Sequence, residues 1–282
     1  MTAMDTVQIQ PIINGFVGEV VGHNVGSVIN DADAAMFRRA HDEFPVLTVR
    51  DQSLNIPAFK NFSAIFGSFE IDHHVPQFQD KAHPEVIYLT NRDAGGGPDP
   101  RSAQRGAAWH ADSTYKAQPC AHTVLHALEI PSSGGGTHFA DMVRAYETLD
   151  DGLKATIRDR KAKHRFGAGP ATGGIIPMTP EQEAMHPQVT HAMVRLHPAS
   201  GREGLYVNPL HTYGVVGMEN KEATELLDRL FLHALSPEFQ YLHNYRVGDL
   251  VIWDQRRTLH KAQAAFSMDE TRLLMRAKIS AA

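Results

Sequence analysis

The stretch VGDLVIWDQRRTLH, residues 247–260, has the pattern of a β-strand that ends in a polar bend. Gly248 and Asp249 favour a turn, and the apolar run 250–253 that follows is short and rich in β-branched and aromatic side chains. The charged segment 254–258 then leads to His260. This stretch therefore predicts a strand that delivers a histidine just beyond its end.

Comparable apolar runs bounded by turn residues recur along the chain. The predicted strands lie at 44–50, 84–90, 122–128, 204–208, 249–254 and 271–279. Helical periodicity is predicted at Asp31–Glu43, Ile56–Phe66, Val143–Arg160 and Asn220–Leu235. The helices do not alternate regularly with the strands, which disfavours a doubly wound parallel sheet. We expect a β-rich α+β fold with the helices packed outside, formed by residues 1–282 as a single domain.

Composition restricts the classes of partner. The chain of 282 residues is 42% hydrophobic and 21% charged, with a formal net charge of −5. It has no basic excess for nucleic acid or an anionic membrane surface, and no apolar run approaches the roughly 20 residues of a membrane span. The single cysteine, Cys120, excludes an intramolecular disulfide and favours a small buried side chain in a reducing compartment. No signal peptide is recognisable in the first fifteen residues, so we expect a cytoplasmic protein.

Two segments have the composition of long loops. Residues 91–108 and 167–187 are rich in glycine and proline, and the first runs directly into His110. Loops of this length are often lids or binding loops, although a plain surface excursion is an equal alternative.

The segment WHADSTY, residues 109–115, contains the triplet His110-Ala-Asp112. The chain has 17 histidines, so such a triplet alone is within chance expectation. A second feature is TRLLMRAKI, 271–279, in which alternation along a strand places Arg272, Leu274 and Arg276 on one face. Guanidinium groups on a core-facing side require anionic partners, because burying unpaired charge is costly. A small dicarboxylate ligand would supply them.

Taken in order, these segments resemble the taurine dioxygenase/TfdA family of iron(II)- and 2-oxoglutarate-dependent dioxygenases. The resemblance rests on six blocks that span most of the chain: FGSFE at 66–70, WHADSTY at 109–115, PSSGGGTHFADMVRAYETL at 131–149, HPASGREGLYVN at 197–208, VGDLVIWDQRRTLH at 247–260 and TRLLMRAKI at 271–279. Each block is modest alone, and their order carries the signal. The resemblance implies a double-stranded β-helix, also called a distorted jelly roll.

The resemblance also implies the ligands of an Fe(II) site: His110, Asp112 and His260. Two imidazoles and one carboxylate on one face of an octahedral ion leave three positions open, as O₂ chemistry with a chelating cosubstrate requires. By the same match, Arg272 and Thr137 would bind the distal carboxylate of 2-oxoglutarate. Arg276 would meet the 1-carboxylate of 2-oxoglutarate or an acidic group of the primary substrate.

The chain departs from the family pattern near the substrate. Taurine-oxidising members carry an asparagine where this chain has Gly106 and a histidine where it has Asp72, so taurine is disfavoured. Family members usually have Trp-Asp-Asn-Arg where this chain has Gln255 in third place, a change expected to leave His260 positioned. WHADSTY and FADMVRAYETL resemble more closely the branch that oxidises aryloxyalkanoates. Candidate pocket residues are Ser113, His74, His211 and Tyr213.

The sequence therefore predicts a dioxygenase that hydroxylates a small organic acid, preferably an aryloxyalkanoate-like carboxylate, with release of succinate and CO₂. An alkylsulfonate substrate is the alternative within the same chemistry. Two other classes stay open: a jelly-roll module that binds an organic acid without catalysis, and a zinc hydrolase, which would need only one open metal position. The resemblance also implies a homo-oligomer, a dimer or a tetramer.

Overall fold

The computed structural model describes residues 8–72, 76–172 and 187–281. The strands are β1 (Gln8–Ile13), β2 (Val17–Val21), β3 (Val46–Val49), β4 (Ser68–Glu70), β5 (Val86–Thr90), β6 (His122–Glu129), β7 (Thr137–Asp141), β8 (Lys161–His164), β9 (Val189–Ala192), β10 (Val194–Leu196), β11 (Glu203–Leu205), β12 (Thr212–Val215), β13 (Gln240–His243), β14 (Leu250–Asp254), β15 (Thr258–Ala262) and β16 (Leu273–Ser280). The α-helices are α1 (Asp31–Glu43), α2 (Ile56–Ser63), α3 (Pro100–Ala103), α4 (Met142–Glu147), α5 (Asp151–Ile157) and α6 (Asn220–Ala234).

The largest sheet has the order β1-β2-β3-β14-β6-β16-β4, with β5 also paired to β16. A smaller antiparallel sheet has the order β13-β7-β15. Side chains from β6, β14 and β16 form one apolar cluster with Phe139 of β7, so the two sheets pack face to face. With helices outside, this is the β-rich double-stranded β-helix that the sequence predicts.

The two-residue period of each strand assigns its side chains to the two faces. In β14, Val251 and Trp253 point between the sheets, whereas Leu250 and Ile252 point to the outer face of the large sheet. The predicted face of β16 is confirmed as well, because Leu274 lies between the sheets in the same cluster as Trp253. The space between the sheets is therefore where inward-pointing polar side chains must meet.

Helices cover both outer faces of this two-sheet core. Phe37 of α1 and the α2 residues Phe59 and Phe62 pack on the outer face of the large sheet. On the other side, α4, α5 and α6 form an apolar cluster with Ala140 of β7 and Leu259 of β15. The helices thus bury the outer faces of the strands, which leaves the inner faces free to build a site.

The predicted helices begin where their capping residues stand. Asn30 and Asn55 each accept a backbone N–H three residues later, and α1 and α2 begin at the next residue as predicted. The prediction of one helix over Val143–Arg160 is wrong. The side chain of Asp150 accepts a hydrogen bond from the N–H of Leu153 and starts α5 anew, so the segment divides into α4 and α5.

The two long loops have different outcomes. Residues 91–108 are not structureless, because they contain α3, which Asp99 caps by accepting the N–H of Arg101. Most of the loop at 167–187 lies outside the described residues.

Cys120 is buried as predicted, and burial raises the pKa of its thiol to about 12. Within the described residues, no helix is long and apolar enough to cross a membrane.

The Asn55 cap gives a direct test of this part of the fold. We expect Asn55→Ala to lower the free energy of unfolding by about 1 kcal/mol, because the N–H of Ala58 loses its acceptor at 2.9 Å. Denaturant unfolding measures the change. Asn55→Asp, which retains an acceptor, is the control and should stay close to the wild-type protein.

Candidate active site

A backbone bridge joins two of the predicted metal ligands directly. The N–H of His110 donates to the carbonyl of His260 at 2.9 Å, and the N–H of His260 donates back at 2.8 Å. His260 lies in the middle of β15, where the strand period turns Leu259 outward and His260 inward. The imidazole centroids are 4.1 Å apart, so residues distant in sequence become neighbours through this bridge.

Asp112 completes the cluster. One ligand atom each from His110, Asp112 and His260 lies within 4.8 Å of the others. The Nδ1–H of His110 donates to the carbonyl of Ala108 at 2.8 Å, which leaves the Nε2 lone pair facing Oδ1 of Asp112 at 3.6 Å. Ser113, at φ +59°, turns the chain away immediately after Asp112.

The charge state of the cluster suits a divalent cation. Burial lowers the pKa of His110 and holds that of His260 well below its ordinary value, so both imidazoles are neutral donors at neutral pH. Burial alone would raise the pKa of Asp112, but the cations Lys278 and Arg276 outweigh it and hold the pKa far below the usual range. Two neutral imidazoles and one carboxylate are the donor set that fits iron(II) with open coordination positions.

The cluster opens into a cavity of about 340 Å³ between the sheets. Its apolar lining includes Ile87, Leu89, Tyr115, Leu125, Phe166, Leu210, Trp253 and Phe266. Its charged lining, in the described part of the chain, comprises Asp72, Arg105, Asp112, Arg272, Arg276 and Lys278. The cavity therefore combines apolar walls with an excess of cationic groups.

Arg272 and Thr137 lie in the same part of this cavity. The Nε–H of Arg272 donates to the carbonyl of Gly135 at 2.6 Å, and its guanidinium lies 5.9 Å from the ring centroid of Tyr245. The hydroxyl of that tyrosine is 3.1 Å from Oγ1 of Thr137. Gly135 has φ +70°, and a Cβ there would lie 3.2 Å from Cδ of Arg272, so the turn needs glycine to hold the guanidinium this closely.

Arg276 forms an ion pair with Asp72 that it shares with a second cation of its strand. Its guanidinium donates to Oδ2 of Asp72 at 2.8 Å, and Nζ of Lys278 donates to the same oxygen at 2.8 Å. Lys278 also lines the cavity but was absent from the sequence prediction. Its location on the same strand face could have been predicted, because the alternation that singled out Arg272 and Arg276 continues to residue 278.

Arg105 is a further cation that sequence reasoning missed. It lines the mouth of the cavity, with its guanidinium carbon 4.0 Å from the ring centroid of Phe78 and one N–H donated to Ser102 at 3.1 Å. Burial and nearby Arg276 lower its pKa. No motif marked it, because it lies in the segment predicted as a loop.

Two of the four remaining pocket candidates line the cavity. Ser113 and His211 line the cavity, and Ser113 donates its hydroxyl to Glu70 at 3.0 Å. Tyr213 is not among the described residues that line the cavity, and its hydroxyl bonds to Gln188 instead. His74 lies outside the described residues.

A second histidine–carboxylate cluster lies outside the described lining of the cavity. It consists of His41, His122 and Asp254, with ligand atoms within 4.8 Å of one another. Asp254 Oδ2 already accepts from Arg256 at 2.6 Å and from His197 at 2.9 Å. A guanidinium in contact with the carboxylate opposes a cation, so we interpret this cluster as an internal hydrogen-bond network that supports the β14–β15 turn.

Comparison with known proteins identifies the family that this chain matches. The profile of the "Taurine catabolism dioxygenase TauD, TfdA family" matches residues 8–278. The chain is 28% identical to the alpha-ketoglutarate-dependent 2,4-dichlorophenoxyacetate dioxygenase of Burkholderia sp. (strain RASC), covering 88% of this chain and 86% of that protein. It is 29% identical to the pentalenolactone F synthase of Streptomyces avermitilis, covering 96% of this chain and 92% of that protein.

Solved structures agree with the fold. A crystal structure of AAD-2 in complex with Mn(II) and N-oxalylglycine superposes with a TM-score of 0.86, at 29% identity over 98% of this chain and 97% of that one. A crystal structure of a taurine dioxygenase from Burkholderia xenovorans superposes with a TM-score of 0.81, at 28% identity over 98% of this chain and 90% of that one. These relatives act on different compounds, so similarity alone does not identify a substrate.

Proposed function

Since the chain belongs to the TauD/TfdA family and is a 2-oxoglutarate-dependent dioxygenase, we propose that it hydroxylates an unactivated C–H bond of a small organic acid, with an aryloxyalkanoate-like carboxylate favoured. The observation that carries this proposal is the convergence of His110, Asp112 and His260 on one side of a cavity that also holds four cationic side chains.

In this proposal, His110, Asp112 and His260 hold Fe(II). The bound ion, together with 2-oxoglutarate and O₂, supplies the oxidising power, and succinate and CO₂ are released. The protein keeps both imidazoles neutral and the carboxylate ionised, so that all three donors are available. Burial of the triad and the apolar walls exclude bulk water from the reacting C–H bond.

Arg272 and Thr137 bind the distal carboxylate of 2-oxoglutarate. Among the residues described, no carboxylate forms an ion pair with Arg272, whose Nε–H is already donated to a backbone carbonyl. The two terminal nitrogens of the guanidinium are the donors that remain for a bidentate contact. The hydroxyls of Thr137 and Tyr245, which are hydrogen-bonded to each other, add polar groups beside that position.

The charge of the cavity favours an anionic primary substrate. Four cations (Arg105, Arg272, Arg276 and Lys278) face two carboxylates (Asp72 and Asp112) in the described lining, an excess of two positive charges. The charges of Fe(II) and of 2-oxoglutarate cancel, so that excess remains for the substrate. We assign the substrate carboxylate to Arg276, one of the two cations whose charge acts on Asp112 of the triad, with Arg105 at the entrance.

The apolar lining favours a substrate with an aromatic or similarly bulky body. Tyr115, Phe166, Leu210 and Phe266 line the same cavity as the cations. Relatives of the chain include two (S)-phenoxypropionate dioxygenases, one of them from Sphingobium herbicidovorans and 29% identical over 96% of this chain. An alkylsulfonate is the second candidate, because the cation excess would bind a sulfonate as well. Asp72 disfavours it, because taurine-oxidising members of the family carry a histidine at that position.

A panel of organic acids tests the substrate class. Aryloxyalkanoates, alkylsulfonates and aliphatic carboxylates are supplied separately with Fe(II), 2-oxoglutarate and O₂, and succinate release is measured. We expect the largest stimulation with an aryloxyalkanoate. A sulfonate that gave higher kcat/KM would reverse the preference. Turnover that persists without O₂ and 2-oxoglutarate would point to the hydrolase alternative.

Arg276→Met is expected to raise KM for the acidic substrate about 10- to 100-fold, the loss of one hydrogen bond to a charged group. The KM for 2-oxoglutarate should change much less, because Arg272 is retained. Arg229→Met, which removes an exposed arginine on α6, is the control and should leave both constants unchanged. An increase confined to the KM for 2-oxoglutarate would place the 2-oxoglutarate carboxylate, and not the substrate, at Arg276.

We also propose that the protein works in the cytoplasm, as its single cysteine favours, and that it forms a homo-oligomer. Size-exclusion chromatography with light scattering tests the second point.

A further inference from the structure

One side chain makes two hydrogen bonds to a single metal ligand. The backbone N–H of Asp112 donates to Oε1 of Gln255 at 2.9 Å, and Nε2 of the same glutamine donates to Oδ2 of Asp112 at 2.9 Å. Thr123 closes the arrangement, because its hydroxyl donates to that Oδ2 at 2.9 Å and accepts from Nε2 at 2.8 Å. Exposed fractions of 6% for Asp112, 1% for Gln255 and 0% for Thr123 mean that no solvent competes.

We propose that Gln255 is a positioning residue that, with Thr123, restricts Asp112 to a single metal-binding oxygen, Oδ1. The inference rests on the proposed role of Asp112 as a metal ligand. It adds to that role a specific account of how the carboxylate is oriented and which of its oxygens is withheld.

The hydrogen-bond network has one consistent orientation. If the carboxamide of Gln255 were flipped, its NH₂ group would face the backbone N–H of Asp112 and its oxygen would face the carboxylate. Both contacts would be repulsive. The single hydroxyl proton of Thr123 is committed to Oδ2, since its oxygen accepts from the carboxamide. Oδ2 thus receives two donors, and a carboxylate oxygen in that state is a poorer metal ligand than its free partner.

The other oxygen is the one that faces the cluster. Oδ1 of Asp112 lies 3.6 Å from Nε2 of His110, the nitrogen whose lone pair is free. Binding through Oδ1 alone takes one coordination position. A carboxylate that bound through both oxygens would take two and would leave only two of six positions open. A chelating cosubstrate already fills two, so the one-oxygen mode is what preserves a position for O₂.

The length of the side chain matters at position 255. The backbone N–H of Gln255 donates to the carbonyl of Ala121 at 2.8 Å, and Asp254 before it is fixed by Arg256 and His197. An asparagine is shorter by one C–C bond, about 1.5 Å. From this backbone it would lose at least one of the two contacts to Asp112. The glutamine that departs from the family pattern therefore has the length that both hydrogen bonds to Asp112 require in this chain.

The decisive variant is Gln255→Met, which retains volume and removes both polar contacts. Titration with Mn(II) alone, in the absence of any substrate, should show metal affinity about 10- to 100-fold weaker than that of the wild-type protein. Thr123→Val removes one donor and should shift affinity in the same direction by less. Gln255→Asn tests reach and should fall between Gln255→Met and the wild-type protein.

A matched control separates positioning from general loss of stability. Gln52 is also buried and hydrogen-bonded, to Val25 and to two backbone carbonyls, but it does not line the cavity. Gln52→Met should lower the free energy of unfolding and leave Mn(II) affinity unchanged. A second readout is the visible charge-transfer band of the anaerobic Fe(II)–2-oxoglutarate complex, which should shift in Gln255→Met and not in Gln52→Met.

The outcomes are distinguishable. Gln255→Met with wild-type Mn(II) affinity and an unshifted band would overturn the positioning role and leave the proposed function intact. A wild-type protein that binds neither Mn(II) nor Fe(II) would overturn the proposed function itself. If Gln255→Met does not fold, Thr123→Val and Gln255→Asn carry the test, and wild-type affinity in both would overturn the inference.

Discussion

Replacing His110 by alanine is expected to reduce succinate production to the assay background, even at saturating Fe(II). The variant removes one of the three donors of the triad, which lie within 4.8 Å of one another. Residues that merely orient a metal ligand change metal affinity or activity by about 10- to 100-fold, and the loss of a ligand itself should exceed that range. Substrate-dependent succinate release measures the effect, together with Mn(II) titration of the variant.

The His110 variant needs a control for folding and for histidine content. His83→Ala removes a histidine that lies near Lys60 and Glu85, away from the cavity lining, and should retain turnover and Mn(II) affinity. The backbone bridge between residues 110 and 260 does not use the imidazole, so His110→Ala should still fold. Unchanged turnover in the His110 variant would refute the assignment of the triad.

The strands of the large sheet were more readable from the sequence than those of the small one. Five of the six predicted runs overlap strands of the large sheet (β3, β5, β6, β14 and β16) and the sixth overlaps β11, because both faces of strands such as β14 are apolar. In contrast, β7 and β15 were not predicted. Their outer residues, Ala140 and Leu259, are buried by helices, but an inner position of β15 carries His260. A polar side chain on the inner face weakens the apolar run that marks a strand, and here the inner face is the candidate site.

The candidate site was predictable to the extent that its signal is local. His110 and Asp112 lie in one turn, and Arg272 and Arg276 lie on one strand face, so spacing identifies each pair. The ion pairs of Asp72 with Arg276 and Lys278 join residues about two hundred positions apart. The hydrogen bonds between Gln255 and Asp112 likewise join residues that are far apart in the sequence. Such partners are set by the packing of β4, β14 and β16, which no short motif records.

The second large effect is expected at Arg272. Truncating a buried, hydrogen-bonded charged partner costs about 2–5 kcal/mol, which corresponds to an increase of about 30- to several-thousand-fold in a dissociation constant. We therefore expect Arg272→Leu to raise KM for 2-oxoglutarate by that factor. Burial lowers the pKa of Arg272, and only Tyr245 acts in the other direction, so the distal carboxylate is the charged partner that this guanidinium lacks within the described residues.

A graded series makes the Arg272 prediction specific. Arg272→Lys retains the charge but not the planar fork, so its KM for 2-oxoglutarate should lie between those of the wild-type protein and Arg272→Leu. Mn(II) affinity should be unchanged in both variants, because Arg272 is not one of the three donors and its guanidinium is held by Gly135 and Tyr245. If both variants kept a wild-type KM for 2-oxoglutarate, the carboxylate would have to bind elsewhere, and Arg105 or Lys278 would be the next cation to replace.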